Sequence, residues 1–116
     1  MTSSSRRRIL FLCSRNQWRS PTAEALYEKD PRVEVGSAGV SKAARRRVTE
    51  AMLRWADLIL VMENEHKSRV RESFPDLASH LKIEVLDIPD DFAAMDPELV
   101  ALLRERIEPW IAEGDH

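Results

Sequence analysis

Residues 9–21 of this 116-residue chain read ILFLCSRNQWRSP. The first four, Ile9–Leu12, form a continuous apolar run of strand length, which is typical of a strand buried on both faces of a parallel sheet. Further on, Ser20 followed by Pro21 is typical of a helix N-cap and a first helical residue. The stretch therefore predicts a buried strand, a short loop that begins at Cys13, and a helix.

The rest of the chain alternates strand-length apolar runs with amphipathic segments. Further strands are predicted over Val33–Val35, Leu58–Met62 and Ile83–Leu86. Helices are predicted around residues 48–55, over residues 64–74 and from residue 97 onward. We expect a turn over Gly36–Gly39, and Pro109 should kink or break the last helix. This alternation indicates an α/β fold of three layers, with a four-stranded parallel sheet and helices on both faces.

Composition predicts one domain over residues 1–116, with residues 1–7 as a flexible tail. Hydrophobic residues make up 43% of the chain and charged residues 33%, which suits a globular domain. The longest apolar runs, Ile9–Cys13 and Leu58–Met62, are far too short to span a bilayer, so no membrane partner is expected. The net charge is only −2, and the basic run Arg45–Arg47 lacks a nucleic-acid-binding motif, so no nucleic acid is expected either.

Cys13 is the only cysteine. A single thiol excludes an intramolecular disulfide and a zinc site of four thiolate ligands, and it favours a reducing, cytoplasmic location. The thiol is then either a small buried hydrophobic side chain or a nucleophile.

The residues around this cysteine favour the nucleophile. A loop between a buried strand and a helix start can turn its backbone N–H groups toward an anion, and the helix dipole favours a thiolate there. Arg19, six residues after Cys13, can offer a planar guanidinium to two phosphoryl oxygens. This pattern predicts attack on a phosphate monoester with a cysteinyl-phosphate intermediate.

These residues also carry a resemblance to a known family. Cys13–Glu24, read with Ile9–Leu12, is similar to the phosphate-binding loop of the low-molecular-weight protein tyrosine phosphatases. That family's later landmarks match, in the same order, Ser37–Gly39, Ala56–Met62 and Asp87–Phe92. The resemblance implies a flavodoxin-like sheet and two-step hydrolysis of phosphate monoesters without a metal or other cofactor. It implies a phosphorylated protein or small phosphoester as substrate, and inorganic phosphate as product or inhibitor.

The resemblance also assigns roles to single residues. Cys13 would be the nucleophile and Arg19 would bind the phosphate. Asn16 would hold a strained turn of the loop, Ser20 would hydrogen-bond the thiolate, and Ser37 would support Asn16. The phosphate-binding loop as a whole would consist of Ser14, Arg15, Asn16, Gln17, Trp18 and Arg19.

Cleavage of a phosphate ester also needs a proton donor for the leaving oxygen. The resemblance aligns Asp90 with the family's general acid. The family has proline after that acid, whereas this chain has Asp91, which is therefore the alternative acid. Asp87 is expected to anchor the loop, and Asp96, which precedes a proline, to cap the last helix.

Three departures from the family bear on specificity. The segment after Gly39 is much shorter, Arg15 replaces a glycine, and Gln17 and Trp18 replace small or apolar residues. We therefore expect a shallow, open pocket with an extra cation at its edge. Phosphotyrosine is the default substrate, and phosphoarginine or a small phosphoester stays open. Trp18 could either stack on an aryl leaving group or only pack.

Two other functions fit part of this pattern. Arsenate reductases share the fold and the cysteine loop, but they need further cysteines, which this chain lacks. A non-catalytic phosphate- or phosphoprotein-binding relative stays open. The histidines, His66, His80 and His116, are expected on the surface or the C-terminal tail, without a role beside Cys13.

Overall fold

The computed structural model describes residues 6–113, and its centre is one sheet of four parallel strands. In chain order the strands are β1 (Arg7–Cys13), β2 (Val33–Gly39), β3 (Leu58–Val61) and β4 (Ile83–Val85). The helices are α1 (Arg19–Tyr27), α2 (Glu50–Trp55), α3 (Asn64–Ser73), α4 (Pro75–Ala78) and α5 (Pro97–Glu113). The predicted α/β fold with a four-stranded parallel sheet is confirmed.

The strand order β2-β1-β3-β4 places β1 between the first and second crossovers. The chain moves from β1 to one side to form β2 and then to the other side to form β3. The loops after β1 and β3 therefore diverge and leave a crevice at the carboxyl ends of these two strands. Ligands of open parallel sheets bind in this crevice. Cys13 is the last residue of β1 and lies at that edge.

Apolar side chains cover both faces of the sheet, which explains the unbroken apolar run in β1. Ile9 and Phe11 pack into one cluster with residues of α1 and α5. Leu10 and Leu12, which alternate with them, pack into a second cluster on the α2 and α3 face. The four side chains are at most 2% exposed.

The turn predicted over Gly36–Gly39 is wrong, because β2 continues through it and pairs with β1 as far as Cys13. Gly39 is required by a close approach of two backbone segments. A Cβ atom there would lie 2.5 Å from the Ser14 carbonyl oxygen and 2.6 Å from the Ala44 Cβ. Sequence composition marked this glycine as a turn residue, whereas its function is to let the loop after β1 pack against β2.

Two helix ends also differ from the prediction. α1 begins at Arg19, with Trp18 as N-cap, so Ser20 does not cap the helix. α5 continues through Pro109 to Glu113 and is not broken, because its apolar face packs on the sheet on both sides of the proline. Asp96 does act as a cap, since its Oδ1 accepts a hydrogen bond from the Glu98 backbone N–H at 2.9 Å.

The N-terminal tail predicted over residues 1–7 overlaps β1, since Arg7 is the first residue of that strand. Residues 1–5 lie outside the described residues. Within residues 6–113, none of the helices combines the length and the apolar character that crossing a membrane requires.

Removing a core side chain of α5 should destabilise the fold. Leu103 is 0% exposed in the cluster between α5 and the sheet, so Leu103→Ala should lower the free energy of unfolding by about 2–5 kcal/mol. The neighbouring Leu102 is only partly buried, so Leu102→Ala should cost clearly less. Urea denaturation of the two variants checks this, and equal losses would contradict the described packing of α5.

Candidate active site

The loop after β1 surrounds a cavity of about 240 Å³ at the edge of the sheet. Its lining residues are Cys13, Ser14, Arg15, Gln17, Trp18, Arg19 and Asp90. Cys13 is only 3% exposed, so its thiol lies at the floor of the cavity, whereas Trp18 is 47% exposed at the mouth. The fold thus brings together the thiol, two arginines and one carboxylate that the sequence singled out.

Asn16 holds the loop in an unusual turn. Its φ of 57° lies in the left-handed region, which most residues with a Cβ avoid but asparagine tolerates. The residue is fully buried, and its Nδ2 group donates hydrogen bonds to Ser20 Oγ and Ser37 Oγ, each at 3.0 Å. Both amide hydrogens are therefore used to tie the turn to α1 and β2.

The hydrogens in this network point in one direction, toward the thiol. Ser37 Oγ donates to Glu24 Oε1, so its lone pairs accept from Asn16. Asn16 in turn donates to Ser20 Oγ, so the Ser20 hydroxyl hydrogen has two acceptors within reach, the Ala38 carbonyl oxygen at 3.3 Å and Cys13 Sγ at 2.9 Å. A thiolate can only accept, and it is the closer and more strongly charged of the two acceptors, so the network can stabilise a sulfur anion.

Arg19 is the first residue of α1 and is 3% exposed. Its Nη1 donates to Glu63 Oε1 at 2.5 Å and to the Ile88 carbonyl oxygen at 2.7 Å. None of the hydrogen bonds within residues 6–113 uses Nη2, and Nε lies 3.7 Å from Asp90 Oδ1. The edge formed by Nε and Nη2 thus remains available to an anion in the cavity, and that edge can bind two oxygens at once.

His66 belongs to this site, although the sequence placed it on the surface. It is fully buried, and its Nδ1 accepts a hydrogen bond from the Glu63 backbone N–H at 3.0 Å. Because Nδ1 accepts, the hydrogen of the neutral ring is on Nε2, which lies 3.2 Å from Ser14 Oγ. Burial lowers the pKa of His66 to about 4, and the charge of Arg19 acts in the same direction. The neutral ring therefore links the loop after β1 to the start of α3.

Glu63, Glu24 and the Ile88 carbonyl are further contacts that the sequence did not reveal. For Glu63 and His66 a signal existed, because the spacing of an N-cap residue and a partner three residues later is that of a capping box. Glu24 and the Ile88 carbonyl contact the site only through tertiary structure. No local pattern distinguishes them from ordinary surface or loop residues.

The two candidate acids differ in position. Asp90 lines the cavity, whereas Asp91 is exposed and does not line it. The loop that carries them is held at both ends. Arg106 Nη1 donates to the Leu86 carbonyl at 2.6 Å, and Thr22 Oγ1 accepts from the Met95 backbone N–H at 3.1 Å. Asp90 is thus held over the cavity by a loop that is fixed to α5 and α1.

Other possible sites lack this chemistry. A cavity of about 370 Å³ lies between β2 and α2, lined mainly by apolar side chains such as Met52 and Trp55, and it does not include the thiol. In the part of the chain that the structure describes, no group of three or more His, Cys, Asp or Glu side chains is arranged to hold a metal ion.

Asn16 offers a direct test of the strained turn. Asn16→Gly and Asn16→Ala both remove the two buried hydrogen bonds. Only alanine has a Cβ that is strained at a φ of 57°, whereas glycine adopts this angle without strain. Asn16→Ala should therefore be less stable than Asn16→Gly by about 1 kcal/mol in urea denaturation. Equal stabilities of the two variants would show that the turn relaxes and is not held in the left-handed region.

His66 predicts how stability depends on pH. The unfolded chain binds a proton at this histidine near pH 6.5, whereas the folded chain does so only near pH 4. Stability should therefore fall as the pH is lowered from about 6.5 to about 4, with this residue contributing at most about 1.4 kcal/mol per pH unit. His66→Gln should flatten this dependence, and the exposed His80→Gln should not. A profile unchanged by His66→Gln would contradict its burial in the neutral form.

Comparisons with known proteins agree with this geometry. No protein-family model matches the chain. A curated relative, the protein-arginine-phosphatase of Geobacillus stearothermophilus, is 36% identical over 93 residues, covering 60% of this chain and 63% of the relative. The chain thus spans less than two thirds of the length of this relative.

Solved structures match over almost the full length. The YwlE arginine phosphatase from Geobacillus stearothermophilus is 29% identical, with a TM-score of 0.73 and 92% of each chain covered. The tyrosine phosphatase Wzb from Escherichia coli K30, solved with phosphate, is 25% identical, with a TM-score of 0.75 and coverage of 94% of this chain and 99% of that one. Taken with the cysteine loop and the sheet order, these similarities support the predicted resemblance to the low-molecular-weight protein tyrosine phosphatase family.

Proposed function

We propose that this protein hydrolyses phosphate monoesters, with phosphotyrosine in proteins as the default substrate and a cysteinyl-phosphate intermediate. One observation carries the proposal. Cys13, Arg19 and Asp90 all line the same small cavity, and Arg19 Nη2 makes no hydrogen bond within residues 6–113. Nucleophile, anion binder and proton donor are the three groups that this reaction requires.

In the first step the Cys13 thiolate attacks phosphorus. The new S–P bond forms as the ester P–O bond breaks, and Asp90 gives its proton to the leaving oxygen. Arg19 binds two equatorial phosphoryl oxygens through Nε and Nη2, since its Nη1 is held by Glu63 and Ile88. The remaining phosphoryl charge faces the backbone N–H groups of the loop.

In the second step a water molecule attacks the phosphorus of the cysteinyl phosphate. Asp90, now a carboxylate, takes a proton from this water, the S–P bond breaks, and inorganic phosphate leaves. The thiolate is regenerated, and the Ser20 hydroxyl, 2.9 Å from Sγ, stabilises it as a leaving group. All protons and charges are accounted for by Cys13, Asp90 and water, so the proposed reaction uses no metal or other cofactor.

Phosphoarginine is the second candidate substrate, and it would undergo the same two steps at a P–N bond. Two of the relatives are named arginine phosphatases, whereas Wzb is named a tyrosine phosphatase. At the cavity mouth, the exposed ring of Trp18 suits an aryl group, and the Asp90 carboxyl group suits a leaving guanidine nitrogen to which it gives its proton. A cytoplasmic location belongs to this proposal too, because a reducing compartment keeps Cys13 as a free thiol.

Single substitutions test the mechanism. Wild type should hydrolyse p-nitrophenyl phosphate and a phosphotyrosine peptide, and Cys13→Ser should reduce both rates by at least about a thousandfold because the hydroxyl is a far weaker nucleophile. Asp90→Asn should lose about 10²–10⁴ in kcat on phosphotyrosine and much less on p-nitrophenyl phosphate, whose leaving group needs no proton.

Asp91→Asn is the matched control for the acid, since it removes an adjacent carboxyl group that does not line the cavity. If Asp91→Asn instead shows the leaving-group-dependent loss, the two aspartates exchange roles. Full activity of Cys13→Ser would exclude the covalent mechanism. Binding of phosphate without any turnover by wild type would identify a non-catalytic relative.

A pair of peptides decides the substrate. Matched peptides that carry phosphotyrosine or phosphoarginine at the same position should be compared by kcat/KM, with phosphate release as the readout. The proposal expects the phosphotyrosine peptide to be preferred. A preference of more than about tenfold, or 1.4 kcal/mol, for phosphoarginine would assign the protein to the second substrate.

A further inference from the structure

The segment over residues 40–47 follows the phosphate-binding loop closely. Three backbone hydrogen bonds of 2.9 Å join the two: Val40 N–H to Cys13 O, Ser41 N–H to Ser14 O, and Arg45 N–H to Arg15 O. A parallel bridge between Gly39 and Arg47 closes the segment against the end of β2. Side chains of this segment are therefore held beside the cavity by backbone contacts that do not depend on the side chains themselves.

The segment is strongly basic. Residues 35–49 contain four basic residues and no acidic one. Arg46 forms an ion pair with Glu24, at 3.9 Å. Three cations of the segment and one of the loop form what we term the basic rim, namely Arg15, Lys42, Arg45 and Arg47, all exposed. Within residues 6–113, no carboxylate lies at ion-pair distance from any member of the basic rim.

The positive charges of the basic rim are not balanced by nearby carboxylates among residues 6–113. Like charges around one cavity repel one another, and their fields add over the Debye length of about 10 Å at 0.1 M salt. The cation at the cavity floor, Arg19, is already paired with Glu63, so the positive field at the mouth comes from the basic rim. An anionic partner would relieve the repulsion and be drawn toward the cavity.

We propose that the basic rim binds acidic side chains that flank the phosphorylated residue of a protein substrate. This inference rests on the proposed function and names its substrate class. Arg15 both lines the cavity and belongs to the basic rim, so the two sites are continuous. One extended peptide, at about 3.3 Å per residue, can place its phosphate in the cavity and carboxylates two or three residues away on the rim.

The test uses a charge reversal with a matched control. Lys42→Glu/Arg45→Glu reverses two charges of the basic rim, and the Arg45 backbone hydrogen bond is kept. Lys29→Glu/Arg71→Glu makes the same change of charge at exposed positions at the end of α1 and in the last turn of α3. None of these four side chains lines the cavity.

The substrates are two phosphotyrosine peptides that differ only in glutamate or alanine at the flanking positions. For wild type, kcat/KM should favour the acidic peptide by about tenfold at low salt, and the preference should vanish near 0.5 M salt because of screening. Lys42→Glu/Arg45→Glu should lose or invert the preference, whereas Lys29→Glu/Arg71→Glu should keep it. At saturating p-nitrophenyl phosphate and about 0.5 M salt, where the rim charges are screened, all three proteins should reach the same kcat.

Binding gives a readout that does not need turnover. Cys13→Ser should bind a fluorescently labelled acidic phosphopeptide about tenfold more tightly than the neutral one, the same ratio as in kcat/KM. Adding Lys42→Glu/Arg45→Glu to Cys13→Ser should abolish this difference in affinity. Failure of the proposed function would appear as absence of turnover by wild type while this ratio persists.

Two results would overturn the inference. One is the same kcat/KM of wild type for the acidic and the neutral peptide, together with the same affinity of Cys13→Ser for both. The other is binding of an RNA oligonucleotide that depends on Lys42 and Arg45, together with no preference among the peptides, since the basic rim would then serve nucleic acid.

Discussion

The buried guanidinium of Arg19 is the constraint on which the rest of the site depends. An unpaired charge with 3% exposure would cost several kcal/mol, so the fold must supply partners for it. Glu63 comes from the N-cap of α3, just after β3, and the Ile88 carbonyl from the loop after β4. Because three parallel strands end at the same edge, one side chain at the start of α1 can reach both. Pairing this cation through Nη1 thus ties the three loops together, while Arg19 still lines the cavity.

The same requirement governs the polar groups around Cys13. Asn16 has both amide hydrogens engaged, while its Oδ1 has no hydrogen-bond partner within the described residues. The amide orientation is therefore set by its donors, and Glu24 determines that orientation by fixing which way the Ser37 hydroxyl points. A carboxylate outside the cavity thus controls the direction of the hydrogen bond that reaches the thiol. Removing any member would leave a buried donor or acceptor unsatisfied, at about 1–3 kcal/mol.

Features set by residues close together in the sequence were predictable, whereas contacts between distant segments were not. The strand at Ile9–Leu12 and the loop that follows were predictable because apolar runs and turn residues act within a few positions. Ser20 was placed correctly beside Cys13 by the resemblance but was wrong as an N-cap, because its hydroxyl is used by the loop and not by the helix. His66 was missed because α3 reads as a polar surface helix. Its burial results from the loop after β1 lying over the start of α3, which is a tertiary relation.

The floor and the mouth of the cavity obey different energetic rules. At the floor, groups such as Asn16 and Arg19 are buried, so each must be paired, and a substitution there costs stability before it changes chemistry. At the mouth, the basic rim is exposed, and exposed charges contribute little to folding. The short segment over residues 40–47 is fixed by its backbone, and Gly39 allows its close approach. Its side chains are therefore free to change without loss of the fold. The four cations of the basic rim have no carboxylate partner among residues 6–113, and a ligand outside the protein explains them better than stability does.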